Sequence, residues 1–243
     1  MMSAVSAYLW LALVTSGVAF LGFSFTYFGP MLDGAYPPVS PTVHVHGWTF
    51  FLWYLLFPLQ AGLIATRRVA VHRRLGMASL ALAVAMVLTG LVVIGMQMEL
   101  VRRGEGSPFF EALGPGIFMT LVLFTMFYGL GFRHRRTRSD HKRYMLLASA
   151  GGLGAAAFRV LAQVMGFGPA AGIAGVFAPN LIVVAAILID VRKGDGVHRI
   201  YRWGLPLSLA LEAGAILLRP TPVGAALAGA LAWLGRVLSP FYV

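Results

Sequence analysis

Seven stretches of this chain are almost wholly apolar, at about 5–28, 43–65, 75–98, 116–132, 144–167, 173–189 and 203–218, and short polar loops separate them. Each is roughly 17–25 residues long, the length at which a helix crosses the ~30 Å hydrocarbon core of a bilayer. The pattern predicts an all-α polytopic transmembrane helix bundle. Residues 1–243 read as one domain, because no loop is long enough to fold separately. Residues 222–238 are apolar, rich in Gly and Ala, and closed by Arg236. They are read as a possible eighth span, with a helix lying at the membrane interface as the alternative. Pro58 with Gln60, and Pro179-Asn180, are expected to mark local helix breaks that free carbonyls inside the bundle. The glycine patches 151–154 and 172–175 suit close helix contacts.

Charge adds orientation to this picture. The loops at 66–74, 133–143 and 190–202 hold 14 of the 19 basic residues, and the alternate loops hold few. By the positive-inside rule those three loops face the cytoplasm, as does the amino terminus, in a bacterial inner membrane. Residues 1–8 have no basic region ahead of the first apolar run, so that run is read as a retained span. With 59% hydrophobic and 11% charged residues, the net charge of +11 reads as topology and contact with anionic lipid headgroups, not nucleic acid. The lipid bilayer is the expected partner, with a membrane complex as a further one. The absence of cysteine excludes disulfides, thiolate metal ligands and iron–sulfur clusters.

The three basic loops share a local motif. His72-Arg73, His141-Lys142 and His198-Arg199 each precede a bulky residue (Leu75, Tyr144, Tyr201) at the amino-terminal end of a helix on one membrane side. A helix amino terminus disfavours the imidazolium, so these rings are expected to be neutral, the state that ligates a metal or haem. If the helix ends converge, His72, His141 and His198 form one divalent-metal or b-type haem site. Asp140, Asp190 or Asp195 would then serve as a further ligand or hydrogen-bond partner. The same termini also suit a phosphate or lipid headgroup. On the opposite face, His44 and His46 form a His-x-His candidate pair. His134, among arginines, reads as solvated.

Two ionisable residues fall at membrane depth. Glu212 is nine residues past Trp203, about 13 Å into the bilayer, and Arg159 lies in the far half of the fifth span, closer in depth to His46, Gln97, Glu99 and Asn180 than to Glu212. Such groups are costly unless paired or wet, and so are candidate functional residues. They suggest either a polar path for protons or a small solute, or interhelical hydrogen bonds. The only lysines, Lys142 and Lys193, are in loops, which excludes a retinal Schiff base.

The run His44-Val45-His46-Gly47, then Pro58, Arg67-Arg68 and His72-Arg73-Arg74-Leu75-Gly76, with Asp140-His141-Lys142-Arg143 and Arg159, resembles uncharacterised bacterial multi-pass membrane proteins carrying His-Arg-x-x-Gly. The opening of the second span is also similar to ascorbate-reducible b-type membrane cytochromes. That resemblance implies haem axial ligands at His46 and His72. Outside the second span the far face has no histidine to partner His46, so at most one haem is implied, between His72 and either His141 or His198. Three functions follow as expectations: a redox or metal-dependent protein using the inner-face histidines, a proton-coupled transporter using Glu212 and Arg159, and a non-catalytic accessory subunit.

Overall fold

A computed structural model describes residues 4–242, and those residues form an all-α bundle without strands. The reading of residues 1–3 as lacking a basic leader lies outside the described residues. Helix α1 (Ala4–Phe23) continues through a π-helical turn (Ser24–Phe28) into the short α2 (Gly29–Leu32). There follow α3 (Pro41–Ala65), α4 (Val69–Arg102), α5 (Pro108–Arg133), α6 (Arg138–Gly151), α7 (Gly154–Met165), α8 (Pro169–Phe177), α9 (Asn180–Arg192), α10 (Arg199–Leu217) and α11 (Pro222–Val237). Five helical stretches are long and apolar enough to cross a membrane, and seven if the bent pairs α6–α7 and α10–α11 each count as one. Outward-facing Trp10, Leu88 and Leu181 are more than half exposed, as suits a lipid-facing surface.

The local chemistry of helix starts is visible throughout. Proline occupies the first turn of α3, α5, α8 and α11, where its missing N–H has no intrahelical partner. Ser40, Ser107 and Thr221 cap α3, α5 and α11 by accepting from backbone N–H groups. Tyr8, near the start of α1, bonds to Asp190 and Tyr201, so α1 begins at the end of the bundle that carries the three basic loops. That end is called the basic end here, and the opposite one the far end.

Pro58 does not break its helix, contrary to expectation: α3 runs unbroken from Pro41 to Ala65. Proline at 58 cannot donate to the carbonyl of Tyr54 four residues earlier. Ser16 of α1 fills that vacancy, its hydroxyl donating to Tyr54 O at 2.5 Å. The Pro179-Asn180 break is present, dividing α8 from α9. A second break falls between Gly151 and Gly154 and bends α6 against α7 by 50°. There Leu153 N–H turns back to Ala150 O, and the freed Ser149 carbonyl accepts from Tyr54 Oη (3.0 Å) while its hydroxyl accepts from Trp53 Nε1 (3.2 Å). Adjacent residues of α3 thus fasten onto the bend.

Helix α6 runs through the middle, touching α1, α5, α9 and α10. Around it the basic half of the bundle is packed solid with Trp53, Phe124, Phe127, Leu147 and Tyr201, all buried. Helix α11 corrects the reading of an eighth span. It crosses α10 at 93° and packs on α4, where Gly95 and Gly235 approach too closely for either to carry a Cβ. Arg219, just before it, lies 4.0 Å from Glu111, and Arg236, near its end, lies 4.0 Å from Glu99. Phe241 O accepts from Thr42 at the start of α3. Both ends of α11 therefore lie at the far end of the bundle. Glu99 explains why: buried, it binds Arg102 and Arg103 on its own helix (2.7 and 3.0 Å) and draws Arg236 alongside.

Candidate functional site

The three motif histidines do not share a pocket. His72 and His141 do meet, with ring centroids 6.1 Å apart and planes at 81°. Gln60, with its amide nitrogen turned to His72, donates to Nδ1 at 2.7 Å, and His141 Nδ1 donates to Gly131 O at 2.9 Å. His198 is engaged elsewhere. Its Nδ1 accepts from Ile200 N–H (3.4 Å) as the cap of α10, and its Nε2 lies 3.1 Å from Ser139 Oγ and 3.7 Å from Asp140 Oδ1. Burial, reinforced by the charge of Arg143, lowers its pKa, so the ring is neutral, as expected, and retains the lone pair that capping needs.

The acidic candidates serve basic partners instead of a metal. Asp140, buried, pairs with Arg199 and has His134 at 3.7 Å, so His134 is drawn towards the protein as well as solvent. Asp190, also buried, takes two hydrogen bonds from Arg143 on one oxygen, at 2.9 and 2.7 Å, with Tyr8 Oη at 3.3 Å. Asp195 is exposed on the turn between α9 and α10. Among the described residues no group of three or more His, Asp or Glu is placed to hold a metal ion. A structural or catalytic zinc site takes three or four protein ligands. Two imidazoles without a carboxylate do not fit that requirement, and the expected three-histidine centre is corrected to a two-histidine contact plus a helix cap.

The membrane-depth polar residues also separate. Glu212 is buried and accepts from Asn180 Nδ2 at 2.7 Å, joining α10 to α9. Arg159 instead belongs to a cavity of about 640 Å3 in the far half of the bundle. His44 and His46 diverge in the same way: His44 Nδ1 meets Tyr27 Oη at 2.8 Å, whereas His46 Nδ1 meets Thr89 Oγ1 at 3.3 Å and its ring lines the cavity. They do not act as a chelating pair.

The cavity exists because of the bend. The 50° tilt of α7 from α6 leaves a gap towards α3 and α4 while Phe158 of α7 still stacks on Phe109 of α5 at 4.5 Å, and the gap is floored by Tyr54, Phe124 and Gly152. Its rim reaches three far-end loops through Tyr36, Ser107 and Gly168. Among the described residues eight phenylalanines line it, and Arg159 is the one charged side chain in its lining. Arg159 lies six residues before the end of α7, about 9 Å along the axis. Its Nε donates to Thr26 Oγ1 (2.8 Å), Nη1 to Ala155 O (2.7 Å), and the guanidinium lies over the Phe23 ring at 4.3 Å. Thr26 and Tyr27 both reach the cavity from the π-helical turn of the first span, a distortion often found at functional sites. The sequence reading set Arg159 level with His46, Gln97, Glu99 and Asn180; Arg159, His46 and Gln97 line this cavity, whereas Glu99 pairs with Arg102 and Arg103 and Asn180 with Glu212. It missed Thr26, Tyr36 and the phenylalanine walls, since nothing in an apolar run says which phenylalanines face a void.

The cavity described here is lined by neither His72 nor His141, so it gives no support to a haem between them. No family model, no curated protein and no solved structure matches the chain.

Proposed function

We propose that this protein is a multi-pass protein of the bacterial cytoplasmic membrane that takes a small, largely apolar molecule into its far-half cavity. The basic loops and the amino terminus face the cytoplasm, as the arginine and lysine distribution favours, and the cavity opens to the other side. The single observation that carries the reading is the cavity itself. At about 640 Å3 it lies within the ~300–1,000 Å3 range of small-molecule sites, with the mixture of apolar walls and few polar groups those sites have. Of the residues first suggested for transport, Arg159 takes part and Glu212 acts as an interhelical tie.

Ala155 lines the cavity, so Ala155→Trp should fill part of it. Native mass spectrometry of protein in lipid nanodiscs should find a bound small molecule on the wild type and less of it on the variant. A wild type that carries nothing, or a variant that carries the same molecule undiminished, overturns the proposal. Haem, which the cytochrome resemblance implies, is one molecule the experiment can identify, with His46 as the imidazole available in the cavity. A Soret band abolished by His46→Ala would assign it.

A further inference from the structure

We infer that the ligand of this cavity is an organic anion, an amphiphile whose carboxylate or phosphate pairs with Arg159 while its apolar body lies against the phenylalanine walls. The inference rests on the cavity being a ligand site and names the class of molecule that fits it.

The argument starts from what Arg159 lacks. Of the other membrane-depth charges described here, Glu99 has Arg102 and Arg103, whereas Glu212 has the neutral Asn180 amide and lies outside the lining of the cavity. Arg159 has a threonine hydroxyl, a backbone carbonyl and a phenyl face. Among the described residues no carboxylate lies within 4.0 Å of it, and no Asp or Glu lines the cavity. A guanidinium carries five N–H donors and cannot shed its proton. The two described bonds, through Nε and Nη1, leave Nη2 unused among the described residues. A charge at this depth without an opposite charge is expensive, and such residues mark substrate sites by default.

The contacts Arg159 does make are those of a positioning cradle. Thr26 on the π-helical turn takes Nε and Ala155 one turn back takes Nη1, on opposite edges of the guanidinium, and Phe23 supports its plane. Nη2, between those two edges, remains to donate to a carboxylate or phosphate oxygen. One positive charge in an otherwise uncharged lining favours a ligand with one negative group. The eight phenylalanines favour a hydrocarbon or aromatic body over a sugar or an amino acid.

The test uses equilibrium binding of dodecanoate, dodecyl phosphate and dodecanol to the full chain in zwitterionic nanodiscs, each corrected for partition into protein-free discs. On the wild type, dodecanoate or dodecyl phosphate should bind at least about ten-fold tighter than dodecanol, and whichever binds better tells a carboxylate site from a phosphate site. Arg159→Gln should remove that preference while leaving dodecanol binding unchanged, and Arg159→Lys should restore part of it. Equal binding of dodecanol and both anions by the wild type would overturn the anion assignment. So would equal loss of all three probes in Arg159→Gln, which would mark a purely structural arginine. Ala155→Trp separates this failure from failure of the cavity reading. If it abolishes binding of dodecanol as well, the cavity stands whatever Arg159 does. If the wild type binds no probe, or Ala155→Trp binds all three normally, both ideas fall.

Discussion

Asp190→Ala should be among the most destabilising single substitutions in this chain. Asp190 and Arg143 are 1% and 2% exposed, so neither charge is screened by solvent. One carboxylate oxygen takes Arg143 Nε at 2.9 Å, Nη2 at 2.7 Å and Tyr8 Oη at 3.3 Å. Removing the carboxylate leaves a buried guanidinium with Ser139 as its described hydrogen-bond partner and the Tyr201 ring at 5.9 Å. Breaking a buried pair from one side costs about 3–5 kcal/mol, whereas replacing both members with apolar residues of similar volume is often close to neutral. Tyr8→Phe deletes one weaker hydrogen bond and should cost only about 0.6–1 kcal/mol. The assay is reversible unfolding of the detergent-solubilised protein with SDS, comparing Asp190→Ala, Tyr8→Phe and the double variant Arg143→Met/Asp190→Leu. The expected order has Asp190→Ala far below the other two. An Asp190→Ala loss under about 1 kcal/mol, or a double variant no better than the single one, would refute the account of this pair as mutually dependent buried charges.

Ser16→Ala should cost about 1 kcal/mol in the wild type, by leaving the Tyr54 carbonyl without a donor, and almost nothing in a Pro58→Ala background, where residue 58 supplies its own N–H; equal costs in both backgrounds would disprove the compensation. His198 has a lowered pKa in the folded protein, so the unfolded chain binds more protons just below the ordinary imidazole value of about 6.5. Its contribution is complete above that pH and declines on acidification, so the melting temperature should fall between about pH 7.5 and 5.5. His198→Asn, which keeps a cap acceptor, should flatten that slope, and an unchanged slope would remove His198 as its source. Gly235→Leu should lift α11 from α4: a cysteine placed at Ala232, 2% exposed in the native protein, should react with maleimide only in that variant, and protection in both would contradict the close packing.

The architecture was legible because it rests on strong, local signals. Apolar runs of bilayer length and basic loops at alternate ends need no tertiary information, and an all-α bundle with five to seven candidate spans agrees with them. Residue count along a helix converts to height, and so brought Arg159, His46 and Gln97 together, but it set Glu99 and Asn180 at the same height although neither lines the cavity. Lateral relations were not legible. The shared motif around His72, His141 and His198 fixes their height, but only helix packing decides that the first two meet while the third turns to Ser139 and Asp140. Pro58 misled because the donor that compensates it, Ser16, is 38 residues distant. The final helix misled because Arg236 suits either membrane face until Glu99 on α4 is known to be buried and waiting for it.

The fastening of Trp53 and Tyr54 onto Ser149 has a mechanical corollary. Those two bonds sit at the waist, where the hollow half ends and the solid half begins, so the molecule is shaped like a cup and not like a pipe. A ligand of the kind proposed would therefore enter and leave through the same mouth, and breaking either bond at the waist would loosen the floor beneath it.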